Sequence, residues 1–124
     1  MIRLDTHVVV WLHTGDVERF TPEGRRMLES ESLLISPMVQ LELTYLHEIG
    51  RLAVGGAGIV GDLTRRIGLA LSDQPFDAAV LAAAALGWTR DPFDRLIVGD
   101  ALAAASALLT QDDVILEHCS LALW

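Results

Sequence analysis

Met1-Ile2-Arg3-Leu4-Asp5-Thr6-His7-Val8-Val9-Val10-Trp11-Leu12 opens the chain. Residues 1 to 5 read as a strand, and Thr6 to His13 as the start of a helix. Val8 to Leu12 is apolar almost all round, which predicts a buried segment and, because these side chains cannot all face one core, an exposed apolar surface near the N-terminal helices. The same unit returns along the chain. Leu33-Leu34-Ile35 predicts a short buried strand. Ser36-Pro37 supplies an N-cap and first helical residue for a helix to Ile49, stopped by Gly50. Thr21-Pro22 opens another helix, to about Ser30. Leu69 to Leu71 and Ala107 to Thr110 read as strands, and Ser120 to Leu123 as an edge strand. Helices are predicted from about Ile59 to Leu69, Phe76 to Leu86, Asp91-Pro92 to about Ala105, and Asp112 to Glu117. Gly55-Gly56-Ala57-Gly58 reads as a flexible connector. Short apolar strands alternating with helices define an α/β domain with a parallel sheet. Ligands of such sheets bind beyond the carboxyl ends of the strands.

Four acids stand where solvation alone explains them poorly. Asp5 and Asp112 end strand-like runs. Glu42 shares a helix face with Val39, Leu46 and Ile49, and Asp94 shares one with Ile97, Val98 and Ala101. Clustered carboxylates in apolar settings need a partner, and a divalent cation is a good one. Competing readings exist for each. Asp5 and Asp112 have the placement of N-caps, and Glu42 that of a buried ion pair with an arginine. Asp94 sits in a first helical turn, where the dipole favours acids. Asp91 reads as the cap of that helix, and Asp113 competes with Asp112 for the site.

Bulk composition bounds the rest. The 124 residues are 52% hydrophobic and 21% charged, which predicts one globular domain, residues 1 to 124. No run approaches the roughly 18 apolar residues of a membrane span. No secretory core precedes Asp5, and the lone Cys119 reads as a buried thiol, so a cytoplasmic setting is expected. The net charge of −8 argues against strong unassisted nucleic-acid binding. All nine basic residues are arginines, which hold phosphates bidentately. His7, His13, His47 and His118 show no zinc spacing and read as structural. The glycine cluster lacks the lysine of a phosphate-binding loop. A phospho-acceptor receiver domain is disfavoured because that chemistry uses a lysine and this chain has none.

Four segments together resemble the PIN-domain ribonucleases, specifically VapC-type toxins of bacterial toxin–antitoxin pairs. They are Leu4-Asp5-Thr6-His7-Val8 with Trp11-Leu12, then Ile35-Ser36-Pro37 through Glu42-Leu43. Arg90-Asp91-Pro92-Phe93-Asp94-Arg95-Leu96-Ile97 is the most specific, and Leu109-Thr110-Gln111-Asp112 with Ile115 closes the set. The resemblance implies a three-layer α/β/α sandwich with a short parallel sheet. It places the family's metal-binding acids at Asp5, Glu42, Asp94 and Asp112. It further implies a Mg²⁺- or Mn²⁺-dependent ribonuclease, a cognate antitoxin and a homodimer. Arg90 or Arg95 is expected to steady phosphate, Asp100 to stand behind the metal ligands, and the acidic groove to accept an arginine or apolar segment of the antitoxin. The alternative is a non-catalytic PIN-like module that only binds a partner.

Overall fold

A computed structural model describes all 124 residues. Five short strands, β1 (Ile2–Leu4), β2 (Leu33–Ile35), β3 (Ala70–Leu71), β4 (Leu108–Leu109) and β5 (Ala122–Leu123), alternate with seven helices. These are α1 (Thr6–Thr14), α2 (Pro22–Ser30), α3 (Pro37–Glu48), α4 (Gly56–Ile67), α5 (Phe76–Ala84), α6 (Pro92–Ala103) and α7 (Asp113–His118). The sheet order is β3-β2-β1-β4-β5 and every pairing is parallel. Helices cover both faces in a three-layer α/β/α sandwich. That is why β1, central in the sheet, is buried along its whole length and reads as a nearly unbroken apolar run.

The helix starts follow the expected chemistry. Thr21 accepts from Gly24 N–H, Ser36 from Met38 N–H, and Asp91 from the N–H groups of Phe93 and Asp94, each followed by proline at the first helical position. Twenty buried apolar residues, including Ile2, Leu4, Ile35, Leu43, Leu63, Ile97, Leu109 and Cys119, form one continuous core. No helix is long and apolar enough to cross a membrane.

Three expectations are corrected. Gly55 to Gly58 is no connector: Gly55 is the N-cap of α4 and Gly56 its first residue. The glycine is there for contact, since a Cβ on Gly56 would lie 2.4 Å from the Gln40 carbonyl oxygen and 2.5 Å from Thr44 Oγ1 on α3. Gly56→Ala should therefore push α4 off α3 and destabilise the fold by about 1–3 kcal/mol, measured by urea denaturation; an unchanged midpoint would show that the two helices have slack. Second, the N-terminal apolar run does not form an exposed surface. Val8 and Val9 are fully buried, and Val10, Trp11 and Leu12 pack on the core. Val17 is exposed close to this segment, but the larger groups of exposed apolar side chains lie on α3 (Leu41, Tyr45), just past its end (Ile49), and on α5 (Phe76, Val80, Leu81). Third, Glu42 does not centre an inward stripe. Val39 is buried, but Ile49 is 48% exposed, because the C-terminal end of α3 runs out past the core towards the Gly50 turn.

Candidate active site

β1 delivers Asp5 to the carboxyl edge of the sheet, and the chain turns there into α1. The Asp5 carboxylate is buried and held from both sides. Its Oδ1 accepts from Thr6 N–H at 2.8 Å, and its Oδ2 from Thr110 Oγ1, at the end of β4, at 2.6 Å. The Thr6 hydroxyl donates in turn to Glu42 Oε1 on α3. Thr6, the first residue of α1, thus bonds to two of the four acids. Asp112 follows β4 and caps α7, its Oδ1 accepting from Val114 N–H at 2.9 Å and Ile115 N–H at 3.1 Å. Capping and site readings are compatible here, because Oδ2 makes no protein hydrogen bond. Asp94, in the first turn of α6, is half-buried, and no hydrogen bond reaches its carboxylate.

Electrostatics tie these groups together. Burial pushes Asp94 up to about 7, with further contributions from the charges of Asp91, Asp5, Asp112 and Glu42. Burial also raises Asp5 and Glu42 above the ordinary carboxylate range, against the opposing hydrogen bonds from Thr110 and Thr6 respectively. Asp112 adds to the rise of Asp5, and Asp5 to that of Glu42. Asp91 acts on both Glu42 and Asp94, so the α6 cap belongs to the same negative field. None of these five acids joins any of the ion pairs of the molecule. The ion-pair reading of Glu42 therefore fails: its partner is a hydroxyl.

The donors suit a hard divalent cation. They are all oxygens, they carry uncompensated charge, and Glu42, Asp112 and Asp94 each keep at least one oxygen free of protein donors. No group of three acidic, histidine or cysteine side chains is drawn tightly enough around one point to hold an ion in the arrangement seen.

The neighbouring candidates divide. Asp112 lines the cleft beside Asp5, and Asp113 does not. Asp100 bonds to none of the four acids. It is buried on α6 in an ion pair with Arg3 of β1 (Nε to Oδ2, 2.6 Å), and Ser72 Oγ bridges the two at 3.0 Å on either side. Arg90 and Arg95 are taken up by carbonyls around the end of α5, Arg90 by Gly87 O and Arg95 by Ala83 O and Ala84 O. His13, His47 and His118 are structural as expected, bonded to Asp62, Leu52 O and Val114 O. His7 is different. With Trp11 and Gln111 it lines a cleft of about 280 Å³ whose other walls are Asp5 and Asp112. Only adjacency hinted at this: His7 is two residues past Asp5, and Gln111 directly precedes Asp112.

Fold and site define a parallel α/β domain with an unneutralised acidic cluster at the carboxyl edge of its sheet. Residues 2–119 match the family model described as PIN domain, and the chain belongs to that family. Among solved structures it is similar to a chain of VapBC2 from Rickettsia felis bound to a DNA fragment from their promoter. That match has a TM-score of 0.73 and 19% identity, covering 100% of this chain and 98% of that one. A chain of a toxin–antitoxin complex from Klebsiella pneumoniae aligns with a TM-score of 0.66 and 14% identity, covering 100% and 97%. No curated protein matches.

Proposed function

We propose that this protein is a metal-dependent ribonuclease and the toxin of a toxin–antitoxin pair. The observation that carries the reading is the set of Asp5, Glu42, Asp94 and Asp112, electrostatically coupled and joined to no arginine. Family membership and the likeness to toxin–antitoxin structures support it. The four acids would hold Mg²⁺ or Mn²⁺. The ion, when bound, supplies Lewis acidity that acidifies water and neutralises charge at a phosphodiester. The chain's own residues set the stage for hydrolysis. Thr6 and Thr110 fix the carboxylates of Glu42 and Asp5, and the Asp91 and Asp112 caps anchor α6 and α7 at the cleft.

The test is cleavage of single-stranded RNA with Mg²⁺ or Mn²⁺, with chelator and Asp5→Asn as controls. Metal-dependent cleavage lost in Asp5→Asn supports the reading. No cleavage by intact protein under either metal would favour the non-catalytic alternative. The pH dependence has a definite sign. A proton on Asp94 must leave before a cation binds there, so Mn²⁺ affinity should rise through pH of about 7. Calorimetric titrations at pH 6 and 8 measure this, and equal affinities would remove Asp94 from the site.

Two partners belong to the proposal. Leu41 of α3 and Phe76 of α5 line one cleft, so their exposed apolar faces are contiguous. We assign that face to a homodimer. The antitoxin would inhibit by placing an arginine or apolar segment in the acidic groove, where its cation replaces the metal. A cytoplasmic setting, where RNA is met, accords with this reading.

A further inference from the structure

We propose that the Trp11 wall of the cleft is a nucleotide subsite. A single-stranded base lies against the wall of Trp11 and His7, and a neighbouring phosphate meets Arg19. The proposal deepens the ribonuclease reading above and rests on it.

The lining of the cleft combines two chemistries. Asp5 and Asp112 contribute carboxylates. His7, Trp11 and Gln111 contribute two rings and an amide, and Trp11 is the sole apolar residue of the lining. An apolar peptide would find too little to bury there. A nucleobase needs one flat face and one polar edge, and the side chains of Trp11, His7 and Gln111 offer both. Trp11 is a rigid platform, because Phe20 and Trp124 pack edge-on against it at ring distances of 6.3 and 5.7 Å. The exposed ring of His7 lies 6.0 Å from that of Trp11, tilted by 43°. The exposed Gln111 side chain bonds to nothing in the protein, and its amide has both donors and acceptor for a base edge.

The guanidinium of Arg19, in an exposed ion pair with Asp16, stands next to this wall, 4.8 Å from the centre of the Trp11 ring. Asp16 holds its Nε at 2.6 Å, which leaves both terminal nitrogens without a protein acceptor. Arg19 does not line the cleft itself, but it is half-exposed and stands beside the lining residue Trp11. An RNA strand whose scissile phosphate faces the acids would pass this point.

The experiment uses the Asp94→Asn protein, to suppress cleavage, and short oligoribonucleotides with one abasic position moved along the strand. The indole N–H resonances of Trp11, Trp88 and Trp124 are followed by NMR. Intact RNA is expected to move the Trp11 resonance and leave Trp88 in place. His7→Ala, at an exposed position where truncation spares the core, should weaken binding of intact RNA by about 5- to 50-fold. It should leave unchanged the binding of the oligonucleotide whose seated base is missing. Arg19→Gln should weaken both alike and reduce the salt dependence by about one counterion. RNA that binds without moving Trp11, or a His7→Ala loss that is equal with and without the base, overturns the subsite alone. Failure of the wild-type protein either to cleave or to bind RNA with Mg²⁺ or Mn²⁺ overturns the ribonuclease reading, and the subsite with it.

Discussion

Asp94→Asn should lower RNA cleavage by about 10²–10⁴-fold while making the protein more stable at pH 8. Both effects come from one property: Asp94 is half-buried among like charges, with no hydrogen bond to its carboxylate. Its carboxyl titrates at about 7 in the folded protein, against an ordinary 3.8. Below pH of about 4, folded and unfolded states both carry the proton, and the group does not affect stability. Between about 4 and 7 the folded state keeps a proton that the unfolded chain releases, so stability falls as pH rises. Above about 7 the full penalty stands. At face value the shift is worth about 4 kcal/mol; screening at this half-exposed position cuts it to about 1–2 kcal/mol. The asparagine variant should thus melt roughly 3–10 °C higher at pH 8 and match the parent near pH 4. Full activity in the variant would take Asp94 out of the site. Destabilisation at pH 8 would mean that its role in the first turn of α6 outweighs the repulsion.

Breaking the buried ion pair should have the largest effect on the fold. Arg3 and Asp100 have side chains only 5% and 4% exposed, and they tie the central strand to α6. Asp100→Ala leaves a buried guanidinium without its counter-charge, which costs about 3–5 kcal/mol and lowers Tm by on the order of 10–20 °C. Replacing the whole network, by Arg3→Met, Ser72→Ala and Asp100→Leu together, should recover most of that loss, because nothing charged is then stranded. Thermal melts of the single and triple variants decide it. A loss below about 1 kcal/mol in Asp100→Ala would show that water reaches Arg3. The pair also matters for function at one remove, since α6 carries Asp94 and β1 leads into Asp5.

Most of the scaffold was legible in the sequence, because strand burial and helix capping are local. The prolines after Thr21, Ser36 and Asp91 mark helix starts that the structure keeps. The apolar runs at Ile2–Leu4, Leu33–Ile35 and Leu108–Leu109 become parallel strands. What stayed hidden depends on pairs far apart in the chain. Nothing local marks Arg3 as half of a buried pair, because its partner Asp100 lies 97 residues on. Gly56 looked like part of a loop because its reason for being glycine is the backbone of another helix. The acids of the site were legible as carboxylates lacking an obvious partner. Their coupling was not, since it arises where β1, β4, α3 and α6 meet. The aromatic side of the cleft was missed for a related reason: in sequence Trp11 is one more apolar residue of a buried helix, and only the fold sets it beside Asp112.

The central claim is that Asp5, Glu42, Asp94 and Asp112 form one cation site. The most direct measurement is anomalous diffraction from crystals grown above pH 7.5, where Asp94 is ionised, and soaked in Mn²⁺. The expected result is a manganese peak within about 2.0–2.6 Å of oxygens from at least two of these four residues, lost in crystals of Asp94→Asn. Manganese bound elsewhere, with the four carboxylates left apart, would contradict the account.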